Sequence, residues 1–154
     1  MKNTIILLTM LLFSGIGFAQ ESNNGKQLWA KSFLNEKAPE LTVETWISKK
    51  PDTEGKFVII DFWATWCGPC RKAIPELNEI AKEFSKDVVV IGISDEPVEK
   101  IKAMKEPVIE YYYGVDTKKT MDKILEIKGI PHVIIIDPKG IVRWEGFLCS
   151  KIIN

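Results

Sequence analysis

Two cysteines, Cys67 and Cys70, stand two residues apart in the stretch DFWATWCGPCRK at 61–72, and a third, Cys149, lies near the end of the chain. Sulfurs at i and i+3 are too close to staple distant segments together. The pair therefore serves redox chemistry, a metal, or nothing in particular. Structural zinc wants four ligands, usually as two such pairs, and only one pair is present. Attachment of a c-type haem needs a histidine directly after the second cysteine, where Arg71 stands. Chance spacing leaves unexplained the apolar run before the pair, the Gly68-Pro69 inside it and the helical pattern after it. A strand-to-helix junction explains all three, because it sets Cys67 among the unpaired N–H groups at the positive end of a helix. That position favours the thiolate, lowering a cysteine from ~8.5 toward ~7 in Cys-X-X-Cys motifs. Cys67 can then attack a substrate disulfide, and Cys70, one helical turn on, can resolve the mixed disulfide by attacking Cys67.

The surrounding pattern supplies the elements this chemistry needs. Phe57–Trp63 is almost continuously apolar, as in a strand covered on both faces. A helix is expected after it, with Pro69 in the first turn, Ile74, Leu77, Ile80, Ala81 and Phe84 at helical spacing, and Pro75 as a kink. Val88–Ser94 reads as a second buried strand and Pro97–Lys105 as a short amphipathic helix. Val108–Val115 reads as a strand, and Leu41–Ile47 as an entry strand followed by a turn at Lys50–Gly55. Thr117–Lys128 is expected to be a helix with Met121, Ile124 and Leu125 inward and Gly129 at its end. His132–Asp137 and Ile141–Phe147 form a hairpin about Asp137-Pro138-Lys139-Gly140, a type I turn signature. Strands alternating with helices, closed by a hairpin, predict an α/β sandwich with a mostly parallel sheet carrying antiparallel strands.

Composition narrows the function classes. Lys plus Arg equals Asp plus Glu at 21 each, interspersed, so no nucleic-acid surface or polyanionic partner is indicated. At 154 residues the chain is long enough for one domain with its own core. Lys2, the apolar run Ile5–Phe18 and the small residues around Ala19 read as a cleaved secretory signal over residues 1–19, the alternative being an uncleaved anchor. Residues 20–35 form a polar N-terminal segment, and 36–154 the folded domain. Export implies a compartment where disulfides persist. Cys149 is an odd thiol there, suited to intermolecular pairing or simply a tail residue.

The stretch FVIIDFWATWCGPCRKAIP at 57–75 resembles the active-site segment of thioredoxin-like thiol:disulfide oxidoreductases. The export signal, EKAPEL at 36–41, the region Tyr111–Tyr113 and the ending GIPHVIIIDPKGIVRWEG resemble the extracytoplasmic TlpA/ResA branch. The resemblance implies a three-layer thioredoxin-like sandwich with a mixed central sheet and an N-terminal extension. Only Leu148–Asn154 remain where such proteins carry a closing helix, so that helix is expected to be truncated or missing. The resemblance also implies a redox-active disulfide between Cys67 and Cys70, with no cofactor or metal. Asp61 becomes a buried acid that passes protons to or from Cys70, and burial should raise its pKa as that role requires. Pro131 becomes a cis-proline facing the pair. Ile130, with Trp66, Gly68 and Pro69, borders the substrate, whereas Trp63 is core. The expected partners are a disulfide-containing protein substrate and a membrane thiol-transfer electron donor, in the periplasm or an equivalent extracytoplasmic space.

Two further departures qualify the match. Ala73 stands where members acting on cytochrome c apoproteins carry a glutamate, which removes support for that role. His132 follows Pro131 where threonine is usual; it is expected to be a partly buried ring near the site that could modulate the thiolate or ligate a metal. A copper-binding chaperone using Cys67, Cys70 and His132 is accordingly the rival reading. A thiol peroxidase is disfavoured, because no Pro-x-x-x-Thr-x-x-Cys pattern precedes a cysteine. Gly68-Pro69 brings no positive group beside Cys67, so the thiolate is only moderately stabilised and the couple should be reducing, nearer about −270 mV than ~−120 mV.

Overall fold

A computed structural model describes residues 28–147. The expected signal segment, Cys149 and the expected shortening of the C-terminal helix lie outside the described residues. Among the described residues, six strands form one sheet: β1 (Thr45–Trp46), β2 (Phe57–Phe62), β3 (Val88–Ser94), β4 (Tyr112–Val115), β5 (His132–Ile136) and β6 (Val142–Gly146). Their spatial order is β1-β4-β3-β2-β5-β6. β2, β3 and β4 run parallel, while β1, β5 and β6 pair antiparallel at the two sides.

Three helices among the described residues cover the sheet: α1 (Gly68–Glu83), α2 (Val98–Ala103) and α3 (Thr120–Leu125). Alternation along β2 divides its side chains between two cores. Ile59 and Trp63 join Ile74, Leu77 and Ile80 of α1 and Ile101 of α2 on one face. Val58, Ile60 and Phe62 join Met121 and Leu125 of α3 on the other. The result is the expected three-layer α/β sandwich, with β2 and β3 buried on both faces and reading as apolar runs for that reason. α1 continues through Pro75, whose ring removes one i→i−4 bond behind the turn that carries the cysteines.

Departures from expectation concentrate away from β2 and β3. The entry strand shrinks to Thr45–Trp46. β4 starts at Tyr112, because Val108 and Glu110 hydrogen-bond the Asn78 side chain of α1 (2.9 and 2.8 Å) in place of a neighbouring strand. α3 starts late and ends early. Asp116 Oδ2 accepts the Met121 N–H at 2.9 Å, and Lys119, just before the helix, is left-handed at φ 57°. Glu126, not Gly129, stops α3, in a left-handed conformation with its N–H turned back to Asp122 and Lys123. Ile124 is 41% exposed, not inward, since a six-residue helix turns only Met121 and Leu125 to the sheet. Residues 28–35, read above as a polar lead-in, pack on the domain: Lys31 N–H bonds Leu125 O, and Asn35 N–H bonds Val142 O, both at 2.8 Å.

Candidate active site

Cys67 ends the loop after β2 and caps α1. Its backbone is extended (φ −80°, ψ 101°), and its Sγ accepts the N–H of Cys70 at 3.2 Å. A helix N-cap usually accepts such a free amide N–H through the side-chain oxygen of Ser, Thr, Asp or Asn, and here the Cys67 sulfur takes that oxygen's place. No acidic residue occupies the first turn of α1 to compete for the positive end. Cys67 and Cys70 are joined as a disulfide with Cα atoms 5.3 Å apart. Cys70 is wholly enclosed, and Cys67 keeps a small exposed edge.

Asp61 lies on the same sheet face as the cysteines, because it falls between Ile59 and Trp63 in the alternation of β2. It is 0% exposed, and neither carboxyl oxygen has a hydrogen-bond partner among the described residues. Burial alone pushes its pKa up to about 7. Gly92 is its neighbour across β3, and Val133 across β5. The missing side chain of Gly92 matters: a Cβ there would lie 3.1 Å from Trp63 Nε1 and 3.1 Å from Tyr111 Cε2. Trp63 and Tyr111 thus close over Asp61's end of the strand pair, and their own Nε1–H and hydroxyl are buried without hydrogen-bond partners among the described residues. The Tyr111 hydroxyl is held well above its ordinary pKa, by burial first and by the Asp61 charge second.

Trp66 is 70% exposed beside Cys67, with Gly68 and Pro69 also at the surface, whereas Trp63 is core. The Ile130–Pro131 bond is cis, and so is Glu106–Pro107, which nothing in the sequence reading anticipated. Because His132 pairs with Phe62 at the end of β2, the cis bond falls at the sheet end from which Cys67 emerges. His132 does not meet the cysteines. It is fully buried, not partly, and its ring lies 6.1 Å from that of Phe62, on the α3 face. Burial lowers its pKa, with Glu145 opposing, so it is neutral at pH 7. Among the described residues no group of three His, Cys, Asp or Glu side chains is arranged to hold a metal ion. The Cys67, Cys70 and His132 ligand set of the copper reading is not assembled.

Two residues that the sequence reading passed over shape the site. Glu96, buried after β3, accepts the Thr65 N–H at 2.5 Å and the Thr65 hydroxyl at 2.9 Å, and pairs with Lys100 at 2.7 Å. It ties down the WATWC loop one residue before Trp66. Burial raises its pKa, but the Lys100 and Thr65 bonds outweigh burial and leave it lowered. Tyr111 is the second. The signal available for Glu96 was position, since it follows the carboxyl end of the parallel strand β3, where such sheets bind ligands; Tyr111 stands just before the amino end of β4 and carries no such signal.

A family model described as AhpC/TSA family matches residues 34–145, nearly all of the described fold. The chain belongs to the AhpC/TSA family. It is 29% identical to the thiol:disulfide interchange protein DsbE of Pseudomonas aeruginosa, over 94% of this chain and 84% of that protein. Against the thiol:disulfide interchange protein HelX of Rhodobacter capsulatus the figures are 26%, 96% and 88%. The solution structure of a Bacteroides thetaiotaomicron protein described as a protein disulfide isomerase superposes with a TM-score of 0.70 at 29% identity, covering 80% of this chain and 84% of that one. The thioredoxin domain of a Bacteroides vulgatus thiol-disulfide oxidoreductase gives 0.63 at 29% identity, covering 73% and 86%. This AhpC/TSA chain is thioredoxin-like in fold and an enzyme of the thiol:disulfide oxidoreductase kind. No described helix is long and apolar enough to cross a membrane.

Proposed function

We propose that the chain is an exported reductase of protein disulfides, working through Cys67 and Cys70. The observation that carries this reading is the Cys67 sulfur capping α1 with Cys70's amide as its donor. In the reduced protein the Cys67 thiolate attacks one sulfur of a substrate disulfide and expels the other as a thiolate, forming a mixed disulfide. Cys70 gives its proton to Asp61 and attacks the Cys67 sulfur. The second substrate thiolate leaves, and the Cys67–Cys70 disulfide closes. Two electrons have passed to the substrate. A membrane dithiol donor restores them by the same exchange in reverse, and the proton held at Asp61 returns to Cys70. Trp66, Gly68, Pro69, Ile130 and Pro131 form the surface on which an extended substrate lies. The apolar, lysine-led start of the chain supports export, with a cleaved signal over residues 1–19.

Cys70→Ser strands the reaction at the mixed disulfide. In the native host this variant is expected to retain exported proteins covalently on Cys67, released by dithiothreitol, while Cys67→Ser retains none. Equilibration of the native pair with glutathione should give a potential near about −270 mV. A value near ~−120 mV, the range of strong oxidases, would overturn the reductase direction.

A further inference from the structure

Beside the cysteine pair, but on the opposite sheet face from Asp61, lies a groove of about 200 Å³. Its floor is apolar, from Phe62, Ile93 and Met121. One wall is Trp66, next to Cys67, together with Ile130, next to the cis Pro131. The other wall holds three carboxylates, Asp95, Asp116 and Asp122. Lys119 and Lys128 also border it, but the Lys119 ammonium is already engaged by Asp95 at 2.6 Å. Asp116 is the informative member. It is 3% exposed, its Oδ2 accepts the Met121 N–H, and its Oδ1 has no hydrogen-bond donor among the described residues. A buried carboxylate oxygen without a donor has lost its hydration with nothing in exchange. The Asp122 carboxyl nearby is held above its usual range, by burial first, with Lys119 opposing and Asp95 and Asp116 adding to the rise. Asp116 Oδ1 is thus left without a donor at a buried point of the wall, with neither Lys119 nor Lys128 bonded to it.

We propose that this groove is a subsite for a basic side chain of the substrate protein, a lysine or arginine flanking the disulfide that Cys67 attacks. The cationic head donates to Asp116 Oδ1 and lies between Asp116 and Asp122, where a charge-assisted bond forms out of bulk water. Its aliphatic stem lies along Phe62 and the face of Trp66, as long basic side chains do on apolar surface. A neutral apolar residue would fill the floor and leave Asp116 Oδ1 unsatisfied. The subsite rests on the reductase reading and selects among its substrates.

The test uses the full reduced chain and three disulfide-bridged peptides identical but for one residue near the attacked cysteine: lysine, norleucine or glutamate. Scanning that residue over the flanking positions finds the register. At the best position, kcat/KM for the lysine peptide should exceed that for the norleucine peptide about tenfold, chiefly through KM, with the glutamate peptide poorest. The ratio should shrink in 0.5 M salt. Asp116→Asn keeps an oxygen for the Met121 N–H while removing the charge, and Asp122→Asn leaves that cap untouched. In each variant the lysine-to-norleucine ratio should fall toward one. Equal rates for lysine and norleucine peptides at every position, or a preference that survives both substitutions, would overturn the subsite and leave the reductase reading standing. Failure to reduce any peptide would overturn both.

Discussion

Burial without a partner makes Asp61 a poor carboxylate and a store for one proton near neutral pH. Its pKa is about 7 in the fold against 3.8 for an ordinary aspartate. Below pH 4 both the folded and unfolded chains carry the proton, and Asp61 imposes no penalty. From pH 4 to 7 the unfolded chain ionises first, the native state binds more protons, and stability falls as pH rises. Above about pH 7 the loss is complete. Asp61→Asn should therefore be indistinguishable from the parent near pH 4 and more stable at pH 8, by on the order of 4 kcal/mol at most. Urea midpoints across that range measure it, and a difference independent of pH would show that the carboxyl is not buried in its ionised form. The same substitution removes the proton acceptor proposed for Cys70. Resolution of a preformed mixed disulfide should slow by roughly 10²-fold, read by quenched-flow release of the second substrate thiol. The Cys67–Cys70 pairing was legible in the sequence because the spacing of the two sulfurs is itself suited to a disulfide, and the burial of Asp61 because it stands inside an apolar strand run, while its proton role was implied by the family resemblance alone. Tyr111 and Glu96 were not, because nothing local marks them; each matters through a residue 50 or 31 positions away in sequence, brought near by parallel strand pairing.

At the scale of elements, two core rings pack over the β2–β3 pair in the space left by an absent side chain. Gly92 sits opposite Asp61, and a methyl there must displace Trp63 and Tyr111, both enclosed in the core. Gly92→Ala should cost about 1–3 kcal/mol, the usual range for overpacking, in thermal or urea unfolding. A change within about 0.5 kcal/mol would mean that the two rings yield freely. Glu96 acts on the next element, the loop from β2 to α1. Glu96→Ala frees the Thr65 N–H and hydroxyl and the Lys100 ammonium, and should cost about 1–3 kcal/mol while increasing amide exchange at Thr65 and Trp66. Exchange unchanged at those residues would remove Glu96 as the clamp. The elements themselves were readable in proportion to their burial. Val88–Ser94 matches its expected span, and β2 falls one residue short, since a strand enclosed on both faces must be apolar throughout. α3 and β4 were over-read. In both, a side chain, Asp116 or Asn78, takes backbone partners that a longer helix or strand would have used, and a substitute partner of that kind leaves no periodic trace in the sequence.

For the molecule as a whole, the balanced charge gives no long-range steering, so integrity depends on covering two cores and one open sheet side. α1 and α2 cover the first core. α3 is too short to cover the second alone, and residues 28–41 complete it with Phe33, Ala38 and Leu41. The same segment runs along β6: Asn35 N–H bonds Val142 O at 2.8 Å, Val142 N–H bonds Glu36 O at 3.0 Å, and Lys37 bridges Ile141 antiparallel. Glu145 of β6 anchors it by accepting the Phe33 N–H at 2.9 Å and the Ser32 hydroxyl. An uncovered edge strand is a template for pairing with another chain. A chain beginning at Leu41 loses these bonds and the Phe33 packing. It should be less stable by roughly 2–5 kcal/mol, the range for removing one large core side chain, and should self-associate with rising concentration. Light scattering and urea unfolding of the shortened and full chains report the two effects separately. Lower stability without association would assign the segment to the core alone, whereas association rescued by adding residues 28–40 as a peptide would assign it to the β6 edge.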